Sequence, residues 1–206
     1  PGSSVNVQID RQPWQIAPAI SEQIYTLEDA LLFAGMQMTM LRNADVIKIA
    51  CQSLLTNISA CIMTEENGQM WLQTIYYPFY YLSNYARGVV LQDVCQSDCY
   101  SCEGFARVPY LDVLTVWNQE QHYIAIFAVN KSEDDMLDAD VTLQDFALAQ
   151  TRTSIELTAE DKKMDNSVDH DAVIPKESAN ATLADGHVRM CLKPMSFNMI
   201  LVDLAE

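Results

Sequence analysis

Apolar residues recur at Leu27, Ala30, Leu31, Ala34, Met38 and Leu41, a spacing near 3.6 that turns one face of a helix toward a core. Thr26 precedes the acids Glu28 and Asp29, and a Thr cap with acids in the first turn marks a helix start. Asn43 and Asp45 mark its end. Residues 46–51, VIKIAC, form a short run that is apolar except at Lys48, and its β-branched members predict a buried strand with Cys51 as a small hydrophobe in it. After a turn at 65–68, residues 78–86 predict a second helix with Pro78 in its first turn, where a missing N–H costs nothing. Helix, strand, loop, helix is the grammar of an α/β unit, and one strand makes no sheet, so residues 25–87 read as incomplete by themselves.

At Gly88 the grammar changes. Residues 88–94, 111–118, 122–130, 139–143, 151–157, 187–192 and 196–204 each read as strands, and in 122–130 Tyr123, Ala125, Phe127 and Val129 share one face. The pairs 111–118/122–130 and 187–192/196–204 read as hairpins. Residues 95–107 read as a polar loop and 160–180 as a long mobile one. The expected fold is therefore an incomplete α/β piece over residues 1–87 followed by an antiparallel sandwich of about seven or eight strands over 88–206. Trp14 and Ile16 are expected to pin the irregular N-terminal segment to a surface. The aromatic cluster Tyr76, Tyr77, Phe79, Tyr80, Tyr81 and Tyr85 is expected to join the two parts.

Composition narrows the classes. A net charge of −16 over 206 residues argues against a nucleic-acid partner, because phosphate contact needs Lys and Arg. No apolar run reaches the length of a membrane span, and the first residues lack the pattern of a signal peptide, which leaves cytoplasmic and periplasmic settings both open. Six cysteines are present. Cys95, Cys99 and Cys102 are spaced as three corners of a metal cluster would be, but they sit in a strand-rich tail; inert thiols, one local disulfide and a metal all fit the spacing. Asp161, Asp165, Asp169 and Asp171 lack the central Gly of a calcium loop. No metal or cofactor is expected. No Ser–His–Asp arrangement and no facing pair of carboxylates suited to glycoside hydrolysis can be argued from spacing.

In an α/β barrel the functional end of a strand is its C-terminal end. For residues 46–51 that end leads to Gln52, Leu54 and Asn57, with Trp71 further on. The two amides fit either a sugar hydroxyl or the loop's own backbone. Trp71 fits either a stacking wall or a cover over the barrel end.

Several blocks carry a resemblance: Tyr25-Thr-Leu-Glu-Asp-Ala-Leu31, Arg42-Asn-Ala-Asp-Val-Ile-Lys-Ile-Ala-Cys51, Asn57, Trp71-Leu-Gln-Thr-Ile-Tyr-Tyr-Pro78, Arg87-Gly-Val-Val-Leu-Gln92, Val108-Pro-Tyr-Leu-Asp-Val113 and Leu192-Lys-Pro-Met-Ser-Phe-Asn198. In that order they resemble the C-terminal part of α-L-arabinofuranosidases of glycoside hydrolase family 51. The resemblance implies a catalytic (β/α)8 barrel followed by a jelly-roll-like sandwich, with residues 46–51 as the eighth barrel strand. It implies hydrolysis of terminal α-L-arabinofuranosides with retention, no cofactor, an arabinose-containing oligo- or polysaccharide as substrate, and a homo-oligomer when the protein is complete. It places the acid/base and nucleophile Glu residues on earlier barrel strands, upstream of Pro1, so no catalytic residue is expected here and the fragment alone should be inactive. One position departs from the family. Where relatives carry a Gln that contacts arabinose, this chain has Leu54, which neither donates nor accepts. Either Gln52 reaches in instead, or one hydrogen bond worth about 0.5–1.5 kcal/mol is absent. The alternative from another class is a non-catalytic carbohydrate-binding or structural sandwich; a sugar-binding one should show a row of exposed aromatics on one strand face, and Trp117, Tyr123 and Phe127 form no evident row in the sequence.

Overall fold

The computed structural model describes residues 5–6, 12–14, 16, 22–65 and 67–205. In chain order the elements are β1 (Val5–Asn6), β2 (Gln23–Ile24), α1 (Leu27–Arg42), β3 (Ile62–Thr64), β4 (Met70–Leu72), α2 (Tyr76–Tyr85) and β5 (Val89–Val90). They continue with β6 (Cys99–Cys102), β7 (Phe105–Pro109), β8 (Leu111–Asn118), β9 (Tyr123–Asn130), β10 (Leu137–Thr142), β11 (Leu148–Leu157) and β12 (Asn166–Ser167). The last are β13 (His170–Asp171), β14 (Lys176–Glu177), β15 (Ala181–Ala184), β16 (His187–Leu192) and β17 (Ser196–Leu204).

Two antiparallel sheets face each other. One has the order β14-β11-β17-β9-β8-β5 and the other β10-β16-β15. Between them lie Ile124, Ile126, Ala128, Val188, Met190, Leu192, Ile200 and Val202. On the outer face of the larger sheet, Tyr123, Ala125, Phe127 and Val129 meet Leu27, Ala30, Leu31, Ala34 and Met38 of α1 and Leu82 of α2. The molecule is thus three layers deep: helices, six strands, three strands. That layering explains why β9 is apolar on both faces and buried along its whole length. Of the polar residues in the central strands, Asn130 is fully buried and satisfied: its amide donates to the carbonyls of Asp135, Leu192 and Lys193 and accepts from Ser132 N.

α1 starts as its sequence dictates. The Thr26 hydroxyl accepts from Asp29 N and the Asp29 carboxylate accepts from Thr26 N, a reciprocal capping box. At the other end the Arg42 guanidinium donates to the Asp112 carboxylate at 2.5 Å and to the Val113 carbonyl at 2.6 Å, pinning the helix to β8. In α2 the ring cluster divides by face. Tyr77, Tyr81 and Tyr85 pack on the core under the sheet, and Phe79 stacks on Phe33 of α1 at 6.3 Å. The Tyr123 hydroxyl donates to the Tyr85 carbonyl, so a helix end is hydrogen-bonded to the central strand.

The structure departs from the sequence reading at six places. Of residues 88–94 only Val89–Val90 form a strand, β5, paired with β8. Residues 46–51 form no strand; they are exposed throughout, Ile49 at 83% and Cys51 included, and the predicted last strand of a barrel is not seen. A strand is stable only when neighbours complete its ladder. Here the chain turns back on the helix end instead, with Val46 N and Ile47 N both donating to the Asn43 carbonyl. Residues 95–107 are not all loop, because β6 and β7 pair as a hairpin. Residues 160–180 contain the hairpin β12/β13 and the edge strand β14 rather than one unstructured loop. β16 and β17 are strands as predicted but do not pair with each other: β16 joins β10 and β15, and β17 joins β9 and β11. Trp14 and Ile16 are 98% and 92% exposed and pin nothing.

Candidate functional site

The loop after residue 51 is shaped by backbone strain and by a small set of polar clamps. Leu54, Asn57 and Ile58 all have φ between 61° and 63°. Asn tolerates that region; a β-branched Ile in it is a genuine outlier, held only because the surroundings over-determine it. Those surroundings can be named. Ile58 N donates to the Glu22 carboxylate at 2.8 Å and the Ile58 carbonyl accepts from Gln23 N at 2.7 Å. The Tyr25 hydroxyl donates to Gln23 Oε1 at 2.6 Å and lies 3.3 Å from the Ser59 carbonyl. Burial, then the Asp29 carboxylate, raises its pKa and keeps it a donor.

Gln73 is the central clamp. It is 2% exposed; its Nε2 donates to the Ala60 carbonyl at 2.9 Å and its Oε1 accepts from Tyr25 N at 3.1 Å. One side chain therefore bridges the loop to the segment leading into α1. Next to it the Thr74 hydroxyl donates to the Thr26 carbonyl at 2.7 Å. The sequence reading did not single out Gln73. Its only signal was an amide in the short link Gln73-Thr74-Ile75 between β4 and α2.

The predicted site residues fall in two places. Gln52 is half-buried and its Nε2 donates to the Ser59 carbonyl at 2.9 Å. Asn57 donates to the Thr64 hydroxyl at 2.9 Å and accepts from Thr64 N at 2.8 Å. Both amides thus serve the loop's own backbone and hairpin. Leu54 is 50% exposed beside them. Trp71 stands apart. It lies on β4 opposite Met63 and lines a cleft of about 300 Å³ with Met70, Leu72, Tyr77 and residues 167–171. Gln52, Leu54 and Asn57 take no part in that wall.

The hairpin β12/β13 forms the other side of the cleft, and its attachment is specific. Asn166, 2% exposed, donates from Nδ2 to the carbonyls of Leu72 and Val173 and accepts Val173 N on Oδ1. Asp165 forms an antiparallel bridge with Thr26. His170 is held by both ring nitrogens, Nδ1 2.6 Å from the Ser167 hydroxyl and Nε2 3.1 Å from the Asp165 carboxylate. The three residue types are those of a hydrolytic triad, but they sit within six residues on an exposed turn, with the ring nitrogens the other way round from the usual order, and the bonds brace the hairpin.

The six cysteines are free thiols. Burial pushes the Cys61 thiol up to about 11, so it stays protonated and inert. Cys95 and Cys99 line a separate cavity by Arg42 and Asp112, where Arg107 Nε lies 3.4 Å from Cys99 Sγ. Among the described residues no three His, Cys, Asp or Glu side chains are grouped to hold a metal ion. Tyr123 and Phe127 are fully buried on the helix side, while Trp117 lies on the opposite side against Phe146. These three form no exposed sugar-binding row.

Comparisons with known proteins agree with this architecture. The family model described as alpha-L-arabinofuranosidase C-terminal domain matches residues 5–196. The chain is 38% identical over 189 residues to the intracellular exo-alpha-(1->5)-L-arabinofuranosidase 1 of Bacillus subtilis, which covers 92% of this chain and 38% of that protein. It is 40% identical over 198 residues to the intracellular exo-alpha-(1->5)-L-arabinofuranosidase of Acetivibrio thermocellus, covering 94% of this chain and 39% of that protein. Among solved structures, AbfB, a family 51 alpha-L-arabinofuranosidase from Bifidobacterium longum, superposes with a TM-score of 0.85 at 26% identity over 95% of this chain and 38% of its own. The chain spans about two fifths of the length of these relatives. A chain matched over nearly its whole length in this way belongs to the alpha-L-arabinofuranosidase C-terminal domain family and corresponds to the C-terminal part of a family 51 glycoside hydrolase.

Proposed function

We propose that this chain is the closing part of a retaining α-L-arabinofuranosidase that releases terminal α-L-arabinofuranosyl residues from arabinose-containing oligo- and polysaccharides. Residues 1–87 complete a catalytic barrel, and residues 88–206 form a jelly-roll-like sandwich against it. The observation that carries the reading is the 38–40% identity, over more than nine tenths of the chain, to proteins named as exo-acting arabinofuranosidases. The physical support is the run at 46–51. It has strand propensity yet lies exposed, which is what an eighth barrel strand does when its neighbours belong to other parts of the protein. Docked there, it would carry the strained loop of Gln52, Leu54 and Asn57 to the mouth of the barrel. The acid/base and nucleophile carboxylates come from the rest of the barrel, and the isolated chain is inactive.

The test compares the isolated chain with the same chain joined to its upstream barrel, using 4-nitrophenyl α-L-arabinofuranoside as substrate. Turnover is expected only from the joined protein, with the first-formed arabinose keeping its anomeric configuration by NMR. Heat-sensitive turnover by the pure isolated chain, or a joined protein that cleaves other glycosides and not this one, overturns the reading.

A further inference from the structure

We propose that the cleft between Trp71, Tyr77 and the hairpin β12/β13 is a second sugar subsite, binding a neutral pentose unit next along the polymer from the one released. The proposal rests on the arabinofuranosidase reading and deepens it, by assigning recognition of the polymer to a strand pair from the sandwich half of the chain.

Four features point to a sugar. The cleft, at about 300 Å³, lies at the small end of the range for small-molecule sites, about 300–1,000 Å³, and suits a single unit. Trp71 and Tyr77, both half-buried, offer the aromatic surface on which the C–H face of a sugar packs. Asp169 and Asp171 supply carboxylates that accept hydrogen bonds from hydroxyl groups. No Lys or Arg lines the cleft, which disfavours phosphorylated or acidic sugars. The Tyr77 phenol adds a donor: burial and then the Asp171 carboxylate push its pKa up to about 12, so it keeps its proton. His170 spends both nitrogens on Ser167 and Asp165 and acts as a brace.

Its position follows from two backbone pairings and one side-chain bond. Thr56 bridges Ile62, Ile62 pairs with Leu72, and the Leu72 carbonyl accepts from Asn166. The cleft therefore lies two strand spacings, about 10 Å, from the loop of Gln52, Leu54 and Asn57. A ligand reaching both places must be longer than one sugar unit. The cleft is also preorganised. Asn166 fixes the hairpin to β4, and the Thr26–Asp165 bridge fixes it to the start of α1, so little ordering is left to binding.

The test uses the full-length enzyme containing this chain, as wild type, Asp171→Ala and Trp71→Ala. The substrates are α-1,5-linked arabinotriose and 4-nitrophenyl α-L-arabinofuranoside, whose leaving group has no hydroxyl to donate to the carboxylates of the cleft. For each variant the ratio of kcat/KM on the trisaccharide to that on the aryl substrate is expected to fall at least fivefold, mainly through KM. A ratio unchanged in both variants, or equal losses on both substrates, overturns the subsite. If the wild type cleaves neither substrate, it is the arabinofuranosidase reading that fails. The same samples then decide the subsite by titration with arabinotriose, followed by tryptophan fluorescence. A saturable change that Trp71→Ala abolishes upholds it, and the absence of any saturable change overturns it.

Discussion

Replacing Gln73 with Leu tests whether one buried amide holds the candidate loop in place. Leu fills nearly the same volume, so the change removes hydrogen bonds with little change in packing. Two backbone groups lose their partners: the carbonyl of Ala60, a residue with no exposed surface, and Tyr25 N, which is half-buried. A buried group left unpaired costs about 1–3 kcal/mol, and the half-buried one less because water can reach it. Together they give about 2–4 kcal/mol, which for a chain of this size lowers Tm by about 5–15 °C. Hydrogen exchange at residues 57–61 should accelerate with it, because the strained φ values at Asn57 and Ile58 persist only under these clamps. Gln73→Glu sharpens the argument. At neutral pH its carboxylate still accepts from Tyr25 N but faces the Ala60 carbonyl, so the charged form is disfavoured and the folded pKa is raised. Stability should therefore recover as pH falls and the protonated acid can donate to that carbonyl. A Gln73→Leu protein melting within 2 °C of wild type, or a Gln73→Glu protein losing further stability relative to wild type on acidification, would refute the assignment of Gln73 as the clamp.

Three further outcomes follow from the geometry. Gly88 has φ +131°, and a Cβ there would lie 2.1 Å from the Trp117 carbonyl oxygen, so Gly88→Ala should detach β5 from β8 and cost at least about 3 kcal/mol, seen as a lowered Tm or as insoluble protein. Hydrogen bonds from Gln150, opposed in part by desolvation, and then from Arg152 hold the Asp203 carboxyl below the usual range; its contribution is therefore present above the unfolded pKa and lost as pH falls through the folded one, and Asp203→Asn should flatten the acid limb of the stability profile below about pH 4. With its thiol near 11 and buried, Cys61 should be the slowest of the six to react with iodoacetamide at pH 8, behind the exposed Cys51, Cys95 and Cys102, as read by mass spectrometry of labelled peptides.

The features legible before folding are local or periodic. Thr26 and Asp29 close a capping box three residues apart, so the start of α1 is set by neighbours on the chain. The alternation through β9 assigned Tyr123, Ala125, Phe127 and Val129 to one face, and those four do share the core under the helices. The family blocks were legible for the same reason: each is a contiguous string. The tertiary structure decided everything that needs a partner from elsewhere. Residues 46–51 have strand propensity, but propensity supplies no ladder, and without neighbours the run stays exposed. β16 and β17 look like a hairpin because only three residues separate them. Pro194 lacks an N–H, and Met195 adopts φ 44°, so the link carries the chain across the sandwich from one sheet to the other. The hairpin β12/β13 is polar and reads as loop, yet one buried amide, Asn166, anchors it to a carbonyl 94 residues earlier in the chain. Hydrogen bonds between distant backbone groups leave no period in a sequence, and so the cleft beside Trp71, unlike the helix that precedes it, became visible only once the chain was folded.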